Sequence, residues 1–163
     1  MDAPDTNVWG PCLWRILHMF VERTGKRGDD KNALEEKRCW TNLLNSLRTG
    51  IPCPLCRKHF IEYITKHKFE SILALKGDAR RDAMRKWFWD FHNAVRANKQ
   101  QACDIELDRV AEMYAAYPAD IFNYDKRVLI EQIRRGMFQR WLSREDMLRV
   151  SRAVDELWRV TPY

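Results

Sequence analysis

Cys53 and Cys56 stand two residues apart in Cys-Pro-Leu-Cys. Two thiols at this spacing can close a small disulfide loop at the start of a helix. The exposed backbone N–H groups and the helix dipole there stabilise a thiolate, the species that thiol–disulfide exchange requires. Pro54 suits the first helical turn, where its missing N–H costs nothing. On this placement Cys53 sits at the edge as the accessible thiol. Cys56 lies one turn in and faces the interior, so Cys53 meets an outside thiol and Cys56 passes electrons inward. The same residues admit other chemistry. Cys53, Cys56 and His59, with Cys39 as a further ligand, could form a zinc site. However, the second cysteine pair of a usual zinc knuckle is missing, so no metal is assigned. The cysteines could also be inert. Spacing alone favours redox without closing the other two readings.

Three further sets of side chains recur at helical spacing. Trp14 and His18 are four apart; Cys56, His59, Phe60 and Tyr63 share a second face; Phe88, His92, Val95, Arg96 and Lys99 make a third. Brought together, they would line an apolar slot with imidazoles and positive charge at its rim. A flavin suits that chemistry: its rings stack on aromatics and its diphosphate meets Lys or Arg. Each residue taken alone has a plainer role: Trp14, Phe60 and Tyr63 as core, His18 as a bonded core histidine, Arg96 and Lys99 as solvated surface. There is no Gly-x-Gly-x-x-Gly, which argues against a Rossmann cofactor domain.

These faces need helices, and the periodicity supplies them. A first helix is expected over about 10–24, with Leu13, Trp14, Leu17, Phe20 and Val21 apolar. A second spans about 30–47, with Trp40, Leu43, Leu44 and Leu47, and 49–52 stops it. The Cys-Pro-Leu-Cys helix runs to about 67, and a short 69–75 segment leads to Gly77. A fourth long helix covers about 78–99. Beyond it, Asp104 is expected to cap a helix reaching 117, with Pro118 ending it. Further helices are expected over 125–141 and from Ser143 to about 158, the last opened by a Ser143/Asp146 capping box. The reading is all-α: a four-helix bundle over 1–103 and an additional helical region over 104–163.

Composition agrees. The 163 residues are 45% hydrophobic and 32% charged, and only 6 Gly and 6 Pro leave few turns for a many-stranded sheet. The net charge of +6 fits a phosphate-bearing cofactor or an acidic partner. Nucleic acid is disfavoured, because no arginine-rich arm or RNA-binding signature accompanies the charge. The first residues show neither a basic region nor an apolar run, so no secretory signal is expected. No stretch is apolar enough to span a membrane. Five cysteines, Cys12, Cys39, Cys53, Cys56 and Cys103, fit a secreted disulfide scaffold poorly.

Three motifs, in order, carry a resemblance. They are Trp9-Gly10-Pro11-Cys12-Leu13-Trp14-Arg15-Ile16-Leu17-His18, then Cys53-Pro54-Leu55-Cys56-Arg57-Lys58-His59-Phe60-Ile61-Glu62-Tyr63, then Trp87-Phe88-Trp89-Asp90-Phe91-His92-Asn93-Ala94-Val95. Over roughly 9–103 the sequence resembles the Erv/ALR family of FAD-linked sulfhydryl oxidases, most of all the small members encoded by large DNA viruses.

The resemblance implies a helical bundle holding FAD beside the Cys-x-x-Cys disulfide. It implies FAD contacts from Gly10, Trp14, His18, His59, Tyr63, His92, Asn93 and Val95. Cys56 becomes the flavin-side cysteine and Cys53 the one attacked by incoming thiols. The family's third motif often continues His-Asn-x-Val-Asn-x-x-Leu-x-Lys. Here Arg96 replaces the second Asn, Lys99 the Leu and Gln101 the Lys, so Arg96 and Lys99 are candidates for the phosphate side. The implied reaction turns dithiols of protein substrates into disulfides and reduces molecular oxygen to hydrogen peroxide. A homodimer is implied, as is a place in the cytoplasm of a virus-infected host cell or in the virion. Cys12 and Cys39 are candidates for a shuttle, a structural bridge or plain burial, and Cys103 for a free or paired thiol. The competing functions are a flavin-free Cys-x-x-Cys relay and a zinc-bound helical interaction module.

Overall fold

Asp5 accepts the backbone N–H of Asn7 and opens α1, Thr6–Arg23, four residues earlier than the apolar period suggests. The computed structural model describes residues 2–103 and 105–162, all of whose regular elements are helices. Pro11 lies inside α1 and removes the backbone bond that the Asn7 carbonyl would have accepted. Asp29 caps α2, Asp30–Gly50. Cys53 caps α3, Pro54–Lys66, with Pro54 in the first turn as the sequence requires. The expected short segment contains α4, Glu70–Leu73, and the long aromatic helix is α5, Gly77–Asn98. The turn before α5 is tight. Gly25 and Gly77 both have positive φ, and a Cβ on Gly25 would lie 2.3 Å from the Gly77 carbonyl oxygen.

The C-terminal helices differ from expectation in their bounds. The expected cap Asp104 lies outside the described residues. α6 is Leu107–Tyr114, and α7 is Ala119–Phe138, starting well before Asp125. Pro118, read as a terminator, is the residue from which α7 departs. α8, Arg144–Val160, opens on the expected capping box: Ser143 Oγ accepts the Asp146 N–H at 3.0 Å, and the Asp146 carboxylate accepts the Ser143 N–H at 2.9 Å.

α8 packs along α2, α7 along α1, and α5 and α6 against α1. Trp40, Phe20, Phe88, Ile16, Met19 and Leu43 form the fully buried centre. Leu129, Ile133, Val150, Val154 and Leu157 of α7 and α8 join the same core. Close contact is required here, since a Cβ on Gly50 would overlap Val150 at 2.3 Å. Trp158 stacks on Phe122 at 4.0 Å and 2°, with the Arg23 guanidinium over the Trp158 ring.

Buried charges fix the register between helices. Arg80, 2% exposed, donates to the Ala33 and Leu73 carbonyls at 2.8 Å, the Leu75 carbonyl at 2.7 Å and the Glu36 carboxylate at 3.2 Å. It thereby satisfies a burial that would otherwise be costly. Arg85 holds Glu22 through two bonds of 2.8 and 2.7 Å. No helix among the described residues is long and apolar enough to cross a membrane.

Candidate functional site

The redox pair sits where α2 gives way to α3. Cys53 and Cys56 are joined by a disulfide, with Cα atoms 5.2 Å apart. Cys53 Sγ accepts the Cys56 backbone N–H at 3.2 Å, so the sulfur lies at the helix N-terminus, where negative charge is favoured. Both cysteines are half-buried, while Pro54 and Leu55 between them are exposed. Arg57, the next residue, donates from one Nη to three carbonyls: Trp141 at 2.8 Å, Ile51 at 3.2 Å and Thr49 at 3.3 Å. The Ile51 carbonyl also accepts the Cys53 N–H at 2.8 Å, so one guanidinium holds the loop that carries the disulfide.

A cleft of about 980 Å³ opens between the N-terminal part of α1, the C-terminal half of α5 and α6. Its size matches cofactor sites, which run to about 1,000 Å³. Gly10, Trp14, His18, His92, Asn93, Val95, Arg96 and Lys99 all line it. The α1 and α5 faces read from the sequence therefore do meet. Phe88 leaves that stripe for the core, 5.5 Å from Trp40. His59 and Tyr63 are not on the cleft wall. Tyr63 stacks on His67 at 4.2 Å and packs on Phe91 at 4.4 Å, and Phe91 in turn lies 5.2 Å from Trp14. An unbroken aromatic chain thus links the α3 face to the cleft. Burial pushes the Tyr63 hydroxyl up to about 12, with Asp90 adding to the shift.

The cleft floor is a set of stacked rings. Trp14 lies flat on His92, 4.0 Å and 9° apart, and His18 stacks on Tyr114 at 4.9 Å. His18 Nε2 and His92 Nδ1 are 3.3 Å apart. Burial and then the neighbouring His92 push His18 down to about 3, so it is a neutral imidazole at physiological pH. Its Nδ1 is buried without a hydrogen-bond partner among the described residues, so it is free to bond a ligand atom or a water in the cleft. A Cβ at Gly10 would meet open space, so the backbone there leaves room for a group. Arg96 and Lys99 bring positive charge to the lining, where Arg15 is held by Asp125 and Arg109 lies 4.0 Å from Glu112. Stacking rings, one unmet polar atom and a cationic rim fit a large aromatic cofactor bearing phosphates.

Tyr114 and Arg109 went unread in the sequence as site residues because they belong to α6. Val110 and Tyr114, four apart and buried, were the available signal. The remaining cysteines stand apart. Cys12 and Cys39 are buried and free, and Cys103 is exposed and free. Burial raises Cys12 to about 11, with Asp125 adding to the effect. Among the described residues no three His, Cys, Asp or Glu converge to hold a metal.

Comparison with known proteins identifies the family. The profile of the Erv1/Alr family matches residues 11–115. A FAD-linked sulfhydryl oxidase of African swine fever virus (isolate Pig/Kenya/KEN-50/1950) is 32% identical over 94 residues, covering 56% of this chain and 70% of the relative. A candidate FAD-linked sulfhydryl oxidase of Invertebrate iridescent virus 3 is 27% identical over 99 residues, 60% of this chain and 61% of the relative. A corresponding candidate of Frog virus 3 is 28% identical over 89 residues, 55% of each chain. The chain thus spans between about half and 70% of these relatives' lengths. No solved structure matches it. With the three motifs, the capped disulfide and the α1–α5 cleft all inside or beside the matched segment, the chain belongs to the Erv1/Alr family.

Proposed function

We propose that the protein is a FAD-dependent thiol oxidase that forms disulfides in protein substrates and reduces oxygen to hydrogen peroxide. The observation that carries this reading is the Cys53–Cys56 disulfide at the N-terminus of α3, a helix whose Phe60 and Tyr63 pack on Phe91, the neighbour of Trp14 in a cleft also lined by His18 and His92.

The chain's own part is thiol exchange. A substrate thiolate attacks Cys53 Sγ, the Cys53–Cys56 bond breaks, and Cys56 leaves as a thiolate. A second substrate thiol then attacks the mixed disulfide, releasing oxidised substrate and reduced Cys53. Two thiols lose two electrons and two protons, which oxygen finally takes up as hydrogen peroxide. FAD, when bound, supplies the two-electron acceptor between the cysteines and oxygen. Gly10, Trp14, His18, His92, Asn93 and Val95 would hold its rings, and Arg96 and Lys99 its phosphates. His18 Nδ1 would form one hydrogen bond to it. His59 and Tyr63 would stand on the disulfide side, where Tyr63 excludes water with Trp87 and Phe91.

The reading divides the chain into an oxidase unit, 1–103, and a helical extension, 104–163, whose α7 and α8 lie beyond the family match. The extension shares the core and offers a substrate or dimer interface. The viral relatives favour the cytoplasm of an infected host cell or the virion as the place of action.

Oxygen uptake with dithiothreitol as the thiol tests the reading. The wild type consumes oxygen and releases peroxide, while Cys53→Ser and Cys56→Ser each lower turnover by at least about 10³-fold and keep FAD bound. Turnover that survives Cys56→Ser would remove the disulfide from the reaction.

A further inference from the structure

We propose that the Cys53–Cys56 face docks an acidic, cysteine-bearing segment of the substrate polypeptide, and that the α7–α8 turn supplies the arginines that receive it. This rests on the thiol-oxidase reading and adds a substrate class to it.

Two carboxylate-free stretches meet at the disulfide. Residues 47–61 carry Arg48, Arg57 and Lys58 and no Asp or Glu. Residues 132–144 carry Arg134, Arg135, Arg140 and Arg144 and again no Asp or Glu. They are far apart in sequence and are brought together by two contacts. Arg57 donates to the Trp141 carbonyl with the same nitrogen that reaches Ile51, which leaves those two carbonyls no more than two hydrogen bonds apart. Gly136 faces Pro52 so closely that a Cβ there would lie 3.0 Å from the Pro52 Cβ. The α7–α8 turn therefore stands directly beside Cys53.

The arginines of this turn are available. Arg134, Arg135, Arg140 and Arg144 are all exposed, and none takes part in an ion pair among the described residues. The carboxylates that follow are engaged elsewhere. Glu145 lies 3.8 Å from both Arg149 and Arg152, and Asp146 caps α8. On the α3 side Lys58 lies 4.0 Å from Glu62, so the arginines of the turn carry the unpaired charge of this face. The crest of the face is apolar, with Leu55, between the two cysteines, 61% exposed.

This pattern suits one occupant. A disulfide that must be attacked from outside needs a polypeptide thiol to approach Cys53. The unpaired guanidinium groups of the adjoining turn steer acidic segments to it and hold them by charge-assisted bonds. Steering of this kind is screened by salt.

The test compares two short dithiol peptides of equal length, one acidic and one basic, with dithiothreitol as the uncharged reference. The docking account expects the acidic peptide to exceed the basic one about tenfold or more in kcat/KM at about 20 mM salt, with the advantage largely lost by about 300 mM salt. In Arg140→Glu/Arg144→Glu, the ratio of acidic-peptide to dithiothreitol kcat/KM falls about tenfold. Equal rates for the two peptides, or an unchanged ratio in the variant, would overturn the docking account while dithiothreitol turnover still upholds the oxidase. No turnover of any thiol would instead sink the oxidase reading. A single-stranded oligonucleotide serves as the competing polyanion. If it binds at this turn and the acidic peptide has no advantage, the arginines serve nucleic acid, contrary to the proposal.

Discussion

His18 Nε2 lies 3.3 Å from His92 Nδ1 and ties α1 to α5 across the cleft floor. Only one imidazole of such a pair readily carries charge, because a second proton would meet both burial and a like charge. His18, 3% exposed and held down to about 3, stays neutral at physiological pH.

This sets the direction of a pH effect. The unfolded chain protonates His18 near its ordinary value of 6.5, while the folded chain does not until about 3. Stability is therefore complete above about 6.5 and is lost as pH falls from there toward 3, by up to about 1.4 kcal/mol per pH unit. Thermal melts at pH 7 and pH 5 should show a larger drop for the wild type than for His18→Gln. Equal drops in both proteins would remove His18 from the effect. The same variant should weaken FAD binding by about tenfold, the worth of one hydrogen bond.

Arg15 gives a second prediction. It donates to Asp125 through Nε at 2.9 Å and Nη2 at 2.7 Å, and Tyr117 donates to the same carboxylate at 2.8 Å. Asp125 is fully buried. The carboxylate lifts the Arg15 guanidinium above its ordinary range, and burial followed by this hydrogen bond lifts the Tyr117 hydroxyl. Arg15→Ala would leave a buried carboxylate without its charge partner and cost about 3 kcal/mol. Tyr117→Phe removes one bond and costs about 1 kcal/mol. Urea denaturation of the two variants checks the order, and a larger loss from Tyr117→Phe would contradict it.

Much of the site was legible because it is local. Cys53 as a cap, Pro54 in the first turn and the Ser143/Asp146 box depend on neighbours three residues apart, and Trp14 with His18 on a single helical turn. What escaped was long-range. Asp125, the expected helix start, is the partner of Arg15 110 residues away, and no period encodes that. Pro118 could end one helix or begin another, and only the packing of α7 on α1 decides it. The α3 face carries the residues expected to line the slot, yet Tyr63 reaches the cleft only through Phe91. A helical stripe gives a direction around its own axis but not the neighbour that fills it.

Gly136 yields a third prediction. A Cβ there would meet Leu142 Cδ2 at 2.9 Å and Pro52 Cβ at 3.0 Å. Gly136→Ala should cost about 1–3 kcal/mol by overpacking. It should also slow thiol exchange at Cys53, because Pro52 precedes that residue. Unchanged rates of alkylation of the reduced Cys53 would show that the extension does not set the loop's position.

The most direct measurement is an anaerobic titration of the purified, FAD-loaded protein with dithiothreitol, followed in the visible spectrum and then opened to air. The account predicts flavin bands that bleach with thiol and return with oxygen in the wild type, and that persist under the same thiol in Cys56→Ser. A folded, colourless protein that takes up no FAD, or bleaching that proceeds equally without Cys56, would contradict it.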